Sequence, residues 1–304
     1  MRVDLRTIPE LPAEGADCEL RPRRRRDIAL AGKTVTLGWR ERGQGPAVVL
    51  LPGPFSVPFA FRAVFGALPE SLRVLLLETV PLIDAAATPG RPVEIPDLAE
   101  ALRRALDGVQ VTRPLLVAEG ALGLVAVRWA LDRPDALLGL VLIGCSFAAG
   151  RPERFWQRLR SSESAQARAA RRISRRPLAQ ALSDLDYADP ALLSRLELRR
   201  LAEPLSTVPG AMAHLQRLAA WKRADFASDL LRELRSRSGQ SFPVPLKLLF
   251  GDRDAPAVRG AGEELTRLFP GTEMFVAESS GRAVHAEKPE WTARIVARCA
   301  GSSP

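Results

Sequence analysis

Histidine, cysteine and lysine are all scarce in this chain of 304 residues, and each shortage removes a class of function. The three cysteines, Cys18, Cys145 and Cys299, are odd in number and far apart, and neither they nor the two histidines show CxxC or Cys/His ligand spacing. Neither a disulfide framework nor a zinc site is expected, and nothing in the sequence asks for a metal or another cofactor. No apolar run approaches the ~20 residues needed to span a bilayer. The first fifteen residues also hold no apolar stretch of a secretory leader, so the chain is read as soluble and cytoplasmic. Aromatic residues are sparse at 6%. Of the basic residues behind the net charge of +9, only Lys33, Lys222, Lys247 and Lys288 are lysine. An excess of arginine, alanine and leucine is what GC-rich coding produces. Without a recognisable motif, charge alone speaks to nonspecific affinity, so nucleic acid is not the expected partner.

What is present is a large apolar fraction, 46%, enough to bury a sizeable core. Residues 1–26 lack periodicity and read as an N-terminal extension, with Arg23–Arg26 a solvated approach to the first strand. Ile28–Leu30 and Thr34–Trp39 flank Gly32 as two strands of a hairpin would. Ala47–Leu51, Val74–Leu77, Leu115–Ala118, Leu140–Gly144 and Leu246–Phe250 are continuous apolar runs, the mark of strands buried on both faces. Helical patterns alternate with them at Phe59–Leu68, Ile95–Leu106, Leu122–Leu131 and Gly260–Phe269. That alternation predicts an α/β fold: a mostly parallel sheet with helices on both faces. Between residues 150 and 242 it stops. Several helices follow one another there, with an Arg-rich first half and breaks at Pro190, Pro204 and Pro209, as in an inserted helical lid over the strand ends. The core is therefore expected at 27–149 and 243–304, ending in a frayed tail from Gly301.

Four segments in this order resemble the α/β-hydrolase family. Val48–Gly53 (VVLLPG) is similar to the strand and oxyanion turn written VVLLHG. Leu116–Gly144 is similar to the nucleophile elbow, its helix and the following strand. Val244–Asp254 (VPLKLLFGDRD) matches the turn that delivers the acid. Gly281–Pro289 (GRAVHAEKP) matches the histidine loop, G-H-x-x-H-x-E-K-P. The resemblance implies which residue stands at each catalytic position, and three of these depart from the pattern. In the G-x-S-x-G window, read here as Ala118-Glu119-Gly120-Ala121-Leu122, Gly120 holds the nucleophile position and offers no nucleophile. Arg282 stands where the general base belongs, and an arginine stays protonated. Pro54, after Pro52-Gly53, has no N–H for the oxyanion hole, whereas the Ala121 amide survives. Of the triad only Asp254 remains. It is expected to lie within ~4 Å of the Arg282 guanidinium, because the carboxylate from that turn normally holds the histidine.

Other residues are candidates by location only. They are Gly53 and Glu119 beside the oxyanion turn and elbow, Cys145 and Ser146 after the next strand, and His285 three residues beyond Arg282. His214 is taken as a surface residue of the lid. One reading is a pseudoenzyme with a degenerate triad that binds a small molecule or a protein partner. A second is a cofactor-free cyclase, lyase or isomerase in which Arg282 stabilises an anion and His285 or Glu119 is the base. A third is an anionic-surface or nucleic-acid binder using the Arg-rich lid.

Overall fold

The structure, a computed structural model, describes residues 24–30, 32–53, 58–87, 94–145, 162–175, 187–189, 199–201, 205–221 and 224–301. Pro54, Ser146, Pro190, Pro204 and the extension before Arg24 lie outside the described residues. Eight strands form one sheet: β1 Arg24–Leu30, β2 Lys33–Arg42, β3 Ala47–Leu51, β4 Arg73–Leu77, β5 Leu115–Glu119, β6 Gly139–Ile143, β7 Leu246–Gly251 and β8 Glu273–Ala277. Their spatial order is β1-β2-β4-β3-β5-β6-β7-β8. The pairs β1–β2 and β2–β4 are antiparallel, and every pair from β3–β4 to β7–β8 is parallel.

The continuous apolar runs hide an alternation of period two. Val49, Leu51, Leu116, Ala118, Leu140, Leu142, Leu246, Leu248 and Phe250 face one side. There they meet α2 Val80–Ala87, α3 Ile95–Asp107, α4 Leu122–Asp132, α7 Ala224–Ser236 and α8 Pro256–Leu268. The intervening Val48, Leu50, Leu115, Val117, Val141, Ile143 and Leu249 face the other side. That side is covered by α1 Arg62–Ala67 and α10 Pro289–Cys299. Successive strand side chains point to opposite faces, and because both faces are covered, both parities must be apolar. The parallel crossovers through α3 and α4 are the ordinary way to join such strands.

Three boundaries differ from those expected of the sequence. Arg24, Arg25 and Arg26 belong to β1, paired with Trp39, Gly38 and Leu37; an edge strand accommodates charged side chains in solvent. Helix α7, within the span expected to be lid, packs into the main core through Leu230 and Leu234. Arg128 of α4 bonds Glu233 of α7 at 2.5 Å, fixing that packing. Pro209 does not break a helix but sits in the first turn of α6 Val208–Trp221, where its missing N–H costs nothing.

Helix α5 Glu163–Ser174 begins at Ser162, whose hydroxyl accepts the Ala165 N–H. It packs on α6 through Ala170, Ala211 and Leu215. His214 is buried in α6, not at the surface; it stands three residues after Ala211 and one before Leu215, on the side of the helix that packs inward. No helix among the described residues is long and apolar enough to cross a membrane.

Candidate functional site

The chain leaves β3 for β4 on one side and later returns to place β5 on the other side of β3. In an open parallel sheet the carboxyl ends on either side of such a reversal leave a crevice between diverging loops. Gly53, two residues beyond β3, and Glu119, which ends β5, therefore face each other. The Gly53 N–H donates to Glu119 Oε2 at 2.9 Å, and Thr79 Oγ1 braces the same turn by donating to the Pro52 carbonyl at 2.7 Å.

Gly120 follows directly, with φ +56°. Its N–H donates to the Ile143 carbonyl at 2.8 Å, and its carbonyl accepts the Gly123 N–H at 3.1 Å. The strand thus turns sharply into α4 through a left-handed residue that glycine adopts at little cost. A Cβ on Gly120 would meet nothing within 4 Å. The sharp turn is present and its tip is open. Ala121 caps the helix with no side-chain bond, so its amide lies among the N–H groups that helix geometry leaves without an internal partner.

The second half of the site comes from β7 and the loop before α9 Val284–Glu287. Gly251 lets these approach, because a Cβ there would collide with the carbonyls of Ser280 and Gly281. Asp252 Oδ1 accepts the Ser280 N–H at 3.1 Å, and this bonding with the Ser279 and Ser280 amides holds its carboxyl below the usual range. Asp254 is buried, and its Oδ1 lies 3.6 Å from Arg282 Nε, so the expected pair is formed. The Arg282 stem lies over Gly144, where a Cβ would strike its Cγ. Its side chain remains 31% exposed.

Cys145 is withdrawn from the crevice. Its sulfur packs against Gly123 beneath α4, and burial pushes the thiol up to about 12 against the opposing charge of Arg282. It is a small core residue, too weakly acidic to serve as a nucleophile.

His285 stacks on Phe61, with ring centroids 4.1 Å apart and planes 19° from parallel. Its Nε2 lies 3.7 Å from Glu119 Oε2, beyond hydrogen-bond range, and neither ring nitrogen has a hydrogen-bond partner among the described residues. Burial lowers its pKa, with Glu119 and Glu287 acting in the opposite direction. The ring is therefore neutral at neutral pH.

Two functional elements carry no local sequence signal of their role. Glu287 Oε2 accepts the Gly281 N–H at 2.7 Å and the Ser280 hydroxyl at 3.2 Å. Its Oε1 accepts the N–H groups of Ala188 and Asp189 at 2.9 and 3.3 Å. One carboxylate thus ties the Arg282 loop to the segment 187–189. That segment carries the chain's single tyrosine, Tyr187, which is buried. Its phenol is raised by burial and then by Glu119 and Glu287, with Arg62 opposing. The E-K-P tail was legible as a motif, but nothing in it announces contact with a residue a hundred positions earlier. Among the described residues no group of three His, Cys, Asp or Glu is placed to hold a metal.

No protein-family model matches the chain. A protein from Enterobacter cloacae subsp. cloacae that bears the name of a carbamate hydrolase, RutD, is 27% identical over 251 residues, covering 81% of this chain and 87% of that one. Among solved structures, Cfl2 from Burkholderia cenocepacia superposes with a TM-score of 0.70 at 18% identity, over 96% of this chain and 98% of that one. The haloalkane dehalogenase DbeA from Bradyrhizobium elkani gives 0.66 at 17% identity, over 91% and 98%. A thermophilic esterase from Thermogutta terrifontis gives 0.61 at 18%, over 90% and 97%. The strand order, the single antiparallel strand beside β4 and these superpositions agree: the chain has the α/β-hydrolase fold.

Proposed function

We propose that this protein is a hydrolytically silent member of its fold, which binds a small molecule or a protein partner at the carboxyl ends of β3 and β5. The observation that carries this reading is the composition of the elbow and its surroundings. Gly120 occupies the left-handed tip with open space where a nucleophile would project. Arg282, not a histidine, meets Asp254 at 3.6 Å. An arginine in that place cannot accept the proton that a hydroxyl must lose on attack. Pro54 supplies no amide to an oxyanion, leaving Ala121 as the donor from the elbow. The carbamate hydrolysis named for the Enterobacter protein is therefore not carried over to this chain. Helices α5 and α6, with the segment 187–189, serve in this reading as the cover over the strand ends.

A second reading, a cofactor-free cyclase, lyase or isomerase, draws support from the closeness of Glu119 and His285. It loses support at Arg282, whose charge is offset by Asp254 and is less available to an anionic intermediate. The test is kinetic. At neutral pH the purified protein is expected to hydrolyse p-nitrophenyl acetate no faster than serum albumin does. Robust turnover abolished by a His285 substitution would overturn the silent-binder reading and favour the second.

A further inference from the structure

Glu119 carries the least compensated charge at the strand ends. Its Oε2 accepts one backbone N–H, from Gly53, and faces an imidazole that burial keeps neutral. Among the described residues no arginine or lysine forms an ion pair with it, and the guanidinium of Arg282 is directed to Asp254. Glu287 lies on the same side, but its two oxygens are already engaged by four donors. Among the described residues carboxylates thus outnumber guanidiniums here, with Glu119, Asp254 and Glu287 against Arg282 and Arg62, and the field reaches Tyr187, whose ionisation Glu119 and Glu287 both oppose.

Two features point to a ligand site and not to a stray surface charge. The Glu119 side chain is 16% exposed, so solvent reaches its carboxylate. Behind it, the His285 ring is buried with both nitrogens unpartnered among the described residues, a costly arrangement unless something completes it. A donor entering beside Glu119 could satisfy the carboxylate directly and draw the ring into hydrogen-bond range. A carboxylate or enolate in the same place would meet Glu119 as a like charge.

We propose that the strand-end site binds a protonated amine, with Glu119 as its counter-ion, His285 as a neutral acceptor behind it and Tyr187 on the covering side. The ligand class is a compact ammonium head. This inference rests on the reading of the site as a binding site and reverses the anion preference that Arg282 alone would suggest.

The test uses three probes of one shape, hexylammonium, hexanol and hexanoate, with the whole purified chain at constant ionic strength. Thermal shift and calorimetry should show hexylammonium binding at least about tenfold more tightly than hexanoate. Glu119→Gln should abolish that preference. Equal or tighter binding of hexanoate, or no binding of hexylammonium, overturns the inference. So does an unchanged preference in a folded Glu119→Gln protein. The wild-type ranking decides the matter alone if that variant fails to fold. The esterase assay is independent: a silent protein that prefers hexanoate sinks only the amine, whereas a competent esterase sinks the binding-protein reading.

Discussion

Replacing Gly120 with serine places a hydroxyl at the tip of the turn, and its consequences follow from the geometry. The residue sits at φ +56°, where a side chain costs roughly 1–2 kcal/mol of backbone strain. Nothing lies within 4 Å of the added Cβ, so no steric penalty joins it. For a chain of 304 residues that corresponds to a fall in Tm of about 2–3 °C, taking an unfolding entropy of about 2.1 cal/mol/K per residue. The hydroxyl should nevertheless be inert, because Arg282 cannot remove its proton. Adding Arg282→His gives the new serine a base that Asp254 can orient. The double variant should still be a poor esterase, since a missing oxyanion donor costs about 3–4 kcal/mol of transition-state stabilisation. Adding Pro54→Phe returns a backbone N–H and should raise turnover on the order of 10²-fold. Differential scanning calorimetry and p-nitrophenyl ester kinetics on the three variants check the series. A competent esterase from the double variant would refute the role given to Pro54. A loss well beyond ~3 kcal/mol from Gly120→Ser would show that the tip is not open.

Glu287→Ala removes a carboxylate with four donors, two of them on the segment 187–189, and should cost on the order of 3 kcal/mol by urea denaturation, with Glu287→Gln losing about half as much; an alanine variant as stable as wild type would show that the tie is not formed in solution. His285 gives a pH dependence of defined sign. Its folded-state pKa is lowered, so protonation favours the unfolded chain. Its contribution is fully present above the ordinary value of 6.5 and declines as pH falls below it. The difference in urea midpoint between wild type and His285→Gln should therefore shrink from pH 7.5 to pH 5.5, and a difference that grows on acidification would contradict a neutral buried ring.

The strands were legible because burial on both faces demands apolar side chains at both parities, and β3 matches its expected limits residue for residue. Strand β8, EMFVA, was missed because its apolar run Met274–Ala277 is short and, at the edge of the sheet, mostly half-exposed or exposed. Helix α10 was overlooked because its buried stripe consists of Thr292, Ala293, Val296 and Ala297, small residues that give little hydrophobic signal. Helix α7 was placed with the lid because sequence shows only consecutive helices, not that Leu230 and Leu234 reach the core. At the site, ungapped flanking motifs set the expected register of Gly120, Asp254 and Arg282, and the expected approach of Arg282 to Asp254 is found at 3.6 Å. The meeting of Glu119, His285 and Tyr187 could not, since it depends on three elements remote in sequence and on the tie through Glu287.

The chemistry of this site is separable from its scaffold, and the contacts show how. The loop bearing Arg282 and His285 is held by Asp252 on the Ser280 amide, by Glu287 on Gly281 and Ser280, and by the close approach that Gly251 allows. The elbow is held by the Gly120 amide on Ile143 and by the apolar face of α4. None of these contacts passes through a side chain at position 120 or through the Arg282 guanidinium. The residues at the reacting positions can therefore differ from those of a hydrolase while the surrounding geometry stays in place. In the proposed reading what differs is the electrostatic character of the strand ends, where Arg282, a fixed cation, lies 3.6 Å from Asp254. That leaves Glu119, held by one backbone donor beside a neutral ring, as the charge still available to a ligand.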